Sequence, residues 1–477
     1  MILDQATKFS EERLQTAPEN IERQGNVDVF AASTGEIALC HVYFMGAFTD
    51  GISNIDASGA QEQHAAIALA IQHFNTRNNT IVPSLTDTSD ALQNCPIRLS
   101  MEAHDTQFQQ LVAVEQVIEA TDRPLQSTQA IRPCAFLGAT RSSVSVPSSL
   151  ITGLRSYPQV SATSTSLTLD DKSQYQYFGR TVPSDDGTAI PVVTYLHNVL
   201  GVNFLAVINI NDSYGNGFIL GLQAAAKQYT PNLFIQQVDI SIDATPENIK
   251  QAVSFLKDTQ YTYFFGILYP QSIVYGILEE AHRQGIAGTG RHNWFFSDSV
   301  AVDILNEPFP RTSPLVTTIQ GSGLIAASAG LPQYNPGLAQ LAQAFDELRS
   351  SPDDLEYLNA HFPPVNLTQP PLNDDGSFLT YDIYSDVYLS ETGIIPPFSY
   401  DATIALGMSA CLAWQDDNWT VPPTLTSSRN SPSRAPRGWS NSMHKGHASP
   451  LRPPFPCRIF SLMKSDPPTT WCISNKY

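Results

Sequence analysis

The chain is short of basic residues. Lys and Arg together number 26 against 45 Asp and Glu, giving a net charge of −19 and an isoelectric point near 4.8. That imbalance argues against nucleic acid and anionic membrane surfaces as partners, because both are repelled at long range. It says nothing against a small ligand, whose site can carry the opposite local sign. No run of 18 or more apolar residues occurs, so no membrane-spanning helix is expected. Met1 to Gln24 is polar and charged, without the apolar core of a secretory signal. If the chain works outside the cell, its targeting and anchoring parts, the transmembrane segment included, are expected to lie beyond it. Cysteine is scarce: Cys40, Cys95, Cys134, Cys411, Cys457 and Cys472 are all there are, with no CxxC pair and no Cys/His metal spacing, which speaks against structural zinc. GxGxxG after a strand, a P-loop, a GxSxG elbow and HExxH are all missing, and the ten His residues show no metal-ligand spacing. No cofactor, no metal and no catalytic residue is expected.

What is present is an alternation of two hydrophobic periods. With 477 residues, 42% of them hydrophobic, the chain is too long for one core and long enough for two α/β lobes. Ile37 to Phe48 reads as a strand, and Ile67, Ala70, Ile71 and Phe74 recur at the spacing of a helix face. Ile97, Leu99 and Met101 alternate as a strand should, Leu111, Val114 and Ile118 form a second helical stripe, and Ala135 to Leu137 is a short buried strand. The pattern goes on through strands at Phe204–Ile210, Phe234–Ile240, Tyr261–Tyr269 and Trp294–Phe296. Between them fall helices at Phe218–Tyr229, after the Thr245-Pro246 cap, and around Ile273, Ile277 and Ala281. Repeated β-α units of this length make a mainly parallel, doubly wound sheet with helices on both faces.

Residues 1–36 read as a poorly ordered leader, and the Pro- and Asp-rich residues 351–397 as a surface insertion. Asp401 to Ala413 returns to helix, with Ile404, Ala405 and Met408 on one side. Beyond residue 420 the balance reverses: residues 421–477 hold 8 Lys and Arg against 1 acid, where residues 1–420 hold 18 against 44. That Ser-, Pro- and Arg-rich tail is expected to be disordered and atypical of the domain before it, as a gene-model error or truncation would leave it. Cys40, Cys95 and Cys134 lie at or just before strand starts. A Cys95–Cys134 bridge is the first expectation, because both precede their strands by a similar offset, with buried free thiols as the alternative. Asn-x-Ser/Thr sequons stand at Asn78, Asn211, Asn366 and Asn418.

In open parallel sheets a ligand binds beyond the carboxyl ends of the strands. Two segments suit that place: Gly138 to Ser145, directly after a strand, and Ser161 to Ser166. Hydroxyls and free N–H groups at a helix start favour a carboxylate or phosphate, although Ser and Thr also serve there as plain caps. Their order along the chain carries a resemblance. Cys134-Ala-Phe-Leu-Gly-Ala-Thr-Arg-Ser-Ser-Val-Ser145, Tyr157–Val160, Thr163–Ser166, Leu169–Lys172, Tyr177-Phe178 and Arg180–Asp185 come first, and Asn211–Gly215, Trp294–Asp298 and Tyr400–Ala402 follow. From about residue 37 to 415 this resembles the ligand-binding region of class C G-protein-coupled receptors (metabotropic glutamate and GABA types) and of receptor guanylate cyclases.

The resemblance implies a two-lobed clamshell of the periplasmic-binding-protein type 1 fold. Residues 37–182 with 320–415 would form lobe 1, and residues 183–319 lobe 2. It implies an extracellular receptor module binding a small amino-acid-like ligand between the lobes, with a homodimer through lobe 1. In amino-acid receptors of the family, the positions matching Ser142, Thr163 and Thr165, with backbone at Ser164, hold the ligand's carboxylate. The position matching Asp298 takes the ammonium, Tyr214 packs from the second lobe, and Asp185 falls near the hinge side. The chain departs from the pattern at Arg141, where a small residue or Cys is usual, at Ala162, where Tyr is common, and at Leu167, where Pro is frequent. A free solute-binding protein of a transporter, or an ectodomain that binds peptide or has lost its ligand, shares the scaffold; an enzyme is the third class.

Overall fold

The structure, a computed structural model, describes residues 38–49, 57–86, 92, 94–124, 131–288, 290–300, 318–319, 322–330, 335–360, 395–415 and 472–474. The expected leader and most of the tail lie outside the described residues. In chain order, β1 is Ala38–Gly46, α1 Ala57–Thr76, β2 Ile97–Asp105, α2 Gln110–Asp122, β3 Ala135–Gly138, α3 Ser142–Leu154, β4 Gln159–Ser161, β5 Phe178–Arg180 and α4 Asp185–Thr194. Next come β6 Phe204–Ile210, α5 Ser213–Tyr229, β7 Phe234–Ile240, α6 Pro246–Asp258, β8 Tyr263–Ile267, α7 Gln271–Arg283, β9 Asn293–Phe296 and β10 Gly323–Ala326. Helices α8 Pro336–Arg349, α9 Pro352–Ala360 and α10 Pro396–Gln415 precede the last strand, β11 Cys472–Ser474.

These strands make two separate sheets. The first runs β2-β1-β3-β4-β5 and is parallel throughout. The second runs β11-β10-β9-β8-β6-β7, parallel except for the β10–β11 pair. With helices on both sides, this is the two-sheet α/β architecture of the periplasmic-binding-protein type 1 fold. Strand β1 is buried along nearly its whole length because it is central and covered on both faces. Edge strand β2 buries every second residue, Ile97, Leu99, Met101 and Ala103 among them.

One core forms where α1, α8 and α10 cover one face of the first sheet, joining Phe74, Val42, Ile97, Phe345, Tyr400 and Leu406. On the other face, α2 and α3 enclose Tyr43, Phe136, Val117 and Val144. The second sheet has its own core around Phe218, Phe264, Val274 and Trp294. Strand β10 belongs to the second sheet, so the chain goes back to the first some residues after the expected boundary at 319. Of residues 421–477, Cys472–Ser474 alone are described, paired antiparallel with β10.

Three expectations need correction. The stripe Leu111, Val114, Ile118 on α2 does not face the sheet. Ala113, Val117 and Ala120 do, while Leu111 is 76% and Ile118 38% exposed. Small residues let the helix lie close to the sheet, and the bulkier stripe is left outside. Residues 352–360 are helical, not part of an insertion: Pro352 starts α9, Asp353 and Asp354 occupy its first turn, and Leu358 is buried in the first core.

The third correction concerns the cysteines. Cys95 does not pair with Cys134; the bridges are Cys40–Cys134 and Cys95–Cys411, with Cα separations of 5.3 and 5.4 Å. Strand β1 lies between β2 and β3, which puts two interstrand spacings, about 9–10 Å, between the starts of those strands, beyond the reach of a disulfide. Cys40 sits on the intervening strand, beside Cys134. Cys95 turns to α10, which joins it from 316 residues downstream. We expect the double variant Cys95→Ser/Cys411→Ser to lose about 2–4 kcal/mol of stability, because this bridge ties a late helix to an early strand. Urea unfolding measures it, and an unchanged midpoint would contradict the structural role.

Candidate functional site

The order of strands marks where a ligand belongs. In the first sheet the chain winds from β1 out to β2 and then crosses to β3, and in the second from β6 out to β7 and then to β8. The crevices at these reversals open at the carboxyl ends of β1 and β3, and of β6 and β8. Ser142 follows β3, Tyr214 follows β6, and Tyr269 follows β8.

On the first lobe the Ala139 carbonyl accepts hydrogen bonds from the hydroxyls of Ser145 (3.2 Å), Ser161 (2.9 Å) and Ser164 (3.0 Å). This joins the β3–α3 loop to the β4 loop. Ser142, at the first turn of α3, accepts the backbone N–H of Thr165 and of Ser166, each at 3.1 Å. The Thr163 hydroxyl donates to the Thr140 carbonyl at 2.7 Å. The hydroxyls of Thr163 and Ser164 thus hold the loop itself. Thr165 differs: its hydroxyl is buried, holds no part of the loop, and has the Asp185 carboxyl as its neighbour without a hydrogen bond of ordinary geometry. Arg180, buried, braces the same loop from behind, donating to the carbonyls of Ser164 (3.2 Å) and Ser166 (3.0 Å) and pairing with Asp170.

Asp185 begins α4 beside this loop, its N–H bonded to the Thr165 carbonyl at 2.9 Å. Its side chain is buried, and neither carboxyl oxygen accepts a hydrogen bond of ordinary geometry among the described residues. Burial pushes its pKa well above the usual carboxylate range, and the Asp298 carboxyl pushes the same way; the Thr165 hydroxyl and the Arg180 charge oppose them in part.

The second lobe contributes Tyr214 and Asp298. Asp212 caps α5 by accepting the N–H groups of Tyr214 and Gly215, both at 2.9 Å, which sets the start of the helix that carries Tyr214. The Tyr214 hydroxyl donates to Asp298 at 2.7 Å and lies 2.9 and 3.2 Å from the hydroxyls of Ser297 and Ser299. Burial raises the pKa of Asp298 as well, against the lowering by Tyr214 and the Ser299 N–H.

The two lobes meet here. The Ser166 hydroxyl donates to the Ser213 carbonyl at 2.6 Å, and the Ser143 hydroxyl lies 3.3 Å from that of Tyr269. Gly217 allows the approach: a Cβ there would stand 2.7 Å from the Ser166 hydroxyl and 3.2 Å from an Asp185 oxygen. Arg141 stacks over the rings of Phe108 and Tyr269, 3.7 and 3.9 Å from their centroids, while Tyr269 donates to Asp212. Sequence reading missed Tyr269, Phe108 and Arg180. For Tyr269, position after a strand was the available signal. Among the described residues no group of His, Cys, Asp and Glu is arranged to hold a metal ion, and no helix is long and apolar enough to cross a membrane.

A two-sheet α/β frame with polar loops converging between the sheets is the build of a ligand-binding receptor module, and the family model described as the receptor family ligand binding region matches residues 63–417. The chain belongs to that family. It is similar to metabotropic glutamate receptor 6 of Rattus norvegicus, 26% identical over 176 residues, or 37% of this chain and 20% of that receptor. It is also similar to metabotropic glutamate receptor 4 of Mus musculus, 26% identical over 242 residues, or 49% and 26%. The matched stretches span about a fifth to a quarter of those receptors' own length.

The raised pKa of Asp185 has a consequence for stability. The folded state holds the proton more tightly than the unfolded chain does. Its contribution is therefore complete below the unfolded carboxylate range and declines as pH rises through the raised value. Asp185→Asn removes that decline. Thermal scans of the free protein should show the variant melting a few degrees above the parent at neutral pH, with the gap narrowing toward about pH 4. A variant that melts lower at neutral pH would show that the carboxylate is stabilising.

Proposed function

We propose that the chain is the extracellular ligand-binding domain of a signalling receptor, which closes on a small amino-acid-like ligand between its lobes. One observation carries this reading. A buried carboxyl, Asp185, and a buried hydroxyl, Thr165, have each other as neighbours without a hydrogen bond of ordinary geometry, and they stand at the meeting of the lobes near the Tyr214–Asp298 pair. Buried polar groups left unpaired are costly, so a site that retains them is suited to a ligand that pairs with them. Two neighbouring carboxyls favour an ammonium, and the Ser142 and Thr165 hydroxyls favour an anion close by. That combination suits an α-amino acid, and glutamate receptors by name stand among the relatives. The engaged Thr163 hydroxyl, and the Ser164 N–H that donates to the Ser161 hydroxyl, favour a second reading, a peptide-binding or ligandless ectodomain on the same scaffold. A free solute-binding protein shares the geometry too. None of the readings needs catalysis.

Asp298→Ala would leave a desolvated cation unpaired and should weaken binding by about 2–5 kcal/mol. Thr165→Val keeps the shape, removes the unpaired hydroxyl, and should weaken binding about ten- to a hundredfold while sparing the fold. Calorimetry with a panel of amino acids tests both; affinity unchanged in both variants would overturn the site assignment.

The first lobe also carries a surface suited to a second copy. Leu111 and Ile118 on α2, with Leu150 and Leu154 on α3, are exposed on two neighbouring helices, Leu154 by 82%. Apolar side chains exposed together on neighbouring helices are suited to pairing with another surface. We expect Leu111→Glu/Leu154→Glu to turn a dimer into a monomer in analytical ultracentrifugation, and a parent protein that sediments as a monomer at every concentration would sink the pairing.

A further inference from the structure

Two of the four sequons, Asn78-Asn79-Thr80 and Asn211-Asp212-Ser213, lie among the described residues, and the structure treats them differently. Asn78 follows the end of α1, its backbone N–H bonded to the His73 carbonyl at 2.9 Å. Its side-chain oxygen accepts both the N–H of Thr80 (3.0 Å) and the hydroxyl of Thr80 (2.6 Å). The side-chain nitrogen has no partner among the described residues, and Asn79 and Thr80 are exposed. Everything this turn needs lies within three residues, so it can form on a chain that has not yet folded.

At Asn211 the same three-residue motif is put to other use. The side-chain oxygen accepts from the Asn216 amide at 3.0 Å, the middle residue Asp212 caps α5, and Ser213 opens that helix. The Ser213 carbonyl receives the Ser166 hydroxyl from the other lobe. A bulky group on Asn211 would stand beside that contact between the lobes.

We propose that Asn78 is a site of N-linked glycosylation and that Asn211 is left unmodified. The proposal rests on the extracellular reading given above. In the transfer, the Asn78 side-chain nitrogen attacks the anomeric carbon of a lipid-diphosphate-linked oligosaccharide. The nitrogen–carbon bond forms, and the carbon–oxygen bond to the diphosphate breaks, its electron pair leaving with the phosphate. One amide proton passes to a base of the transferase. The two hydrogen bonds from Thr80 help by drawing density onto the amide oxygen, which makes the nitrogen's protons easier to lose.

The fold has room for the product. Asn78 stands near the starts of the first-sheet strands, where Asn75 bonds the Leu99 backbone and Arg77 the Cys95 carbonyl. The ligand-facing loops leave the opposite ends of those strands. Helix α1 also covers the face of the sheet opposite α2 and α3, so a glycan there is away from both the site and the proposed pairing surface.

The test is the full chain behind a fused secretory leader, expressed in animal cells. Glycans are released by an amidase in heavy-oxygen water, and peptides are read by mass spectrometry. The expected result is heavy deamidation at Asn78 and none at Asn211. Asn78→Gln and Thr80→Ala should each remove one glycan step from the gel mobility, and Thr80→Ser should retain it. A bare Asn78 in secreted protein, or a label on Asn211 equal to that on Asn78, would overturn the proposal. Alkylation of the same sample reads the bridges separately: cysteines 40, 95, 134 and 411 found reduced would count against the extracellular reading and not against the turn at Asn78.

Discussion

The Ala139 carbonyl, with its three serine hydroxyls, is the junction on which the site depends. It lies where β3 gives way to α3, and it fixes the position of the Ser161–Ser166 loop that follows β4. A carbonyl oxygen has two lone pairs, so three donors make it a crowded acceptor, and each hydroxyl that bonds to it is oriented by doing so. The loop is then held on its far side by Arg180. The guanidinium is buried and always charged, and it binds two loop carbonyls and Asp170 at once. What remains at the loop's front edge is Thr165, whose carbonyl positions Asp185 through the start of α4. Rigid support behind and unpaired polar groups in front is the arrangement a recognition surface requires, because a ligand then need not order the loop on binding.

Much of this architecture was legible in the sequence. Parallel strands covered on both faces read as short apolar runs, amphipathic helices read as stripes, and both survive into the structure with few changes: Phe74 and Ile97 are buried as their periods require. Strand order was not legible. Nothing local in the chain states that β1 lies between β2 and β3, which brings Cys40 beside Cys134, or that α10 returns to meet Cys95. The α2 stripe failed for a related reason. Periodicity locates an apolar face but not what the face meets, and on α2 the sheet took the smaller Ala113, Val117 and Ala120 while Leu111 and Ile118 stayed outside. Of the site, the rims were legible, since Ser142, Thr165, Tyr214 and Asp298 sit in ordered motifs at strand ends. Their partners across the lobes were not, because the approach of Tyr269 to Arg141 and Ser143 exists only after the two sheets are set against each other.

The site brings both signs together within an acidic chain. A net charge of −19 repels an anionic solute at a distance, yet the first-lobe loop presents hydroxyls, and Arg141 lies stacked between Phe108 and Tyr269. Asp185 and Asp298 supply the negative counterpart. Burial raises the pKa of both, and on the proposed reading a cation arriving between them would favour their charged forms. On the proposed reading a zwitterion satisfies both sides, and a simple anion or cation satisfies one.

The same geometry bears on how closure would be driven. Contacts between protein groups join the lobes at Ser166–Ser213, at Ser143–Tyr269 and through the Arg141–Tyr269 stack. Each is modest, of the order of 1 kcal/mol, as expected for hydrogen bonds and stacking at partly exposed positions. On the proposed reading their sum favours a closed arrangement without a ligand's help. Asp185 takes no part in that sum: α4 and α5 pack together in the second core, so Gly217 covers the Asp185 carboxyl whether the lobes are together or apart. A ligand shifts the closed population only through contacts it makes better in one state than in the other, so on that reading it must reach the Asp185 and Asp298 carboxyls of the second lobe and the Ser142–Thr165 edge of the first at once.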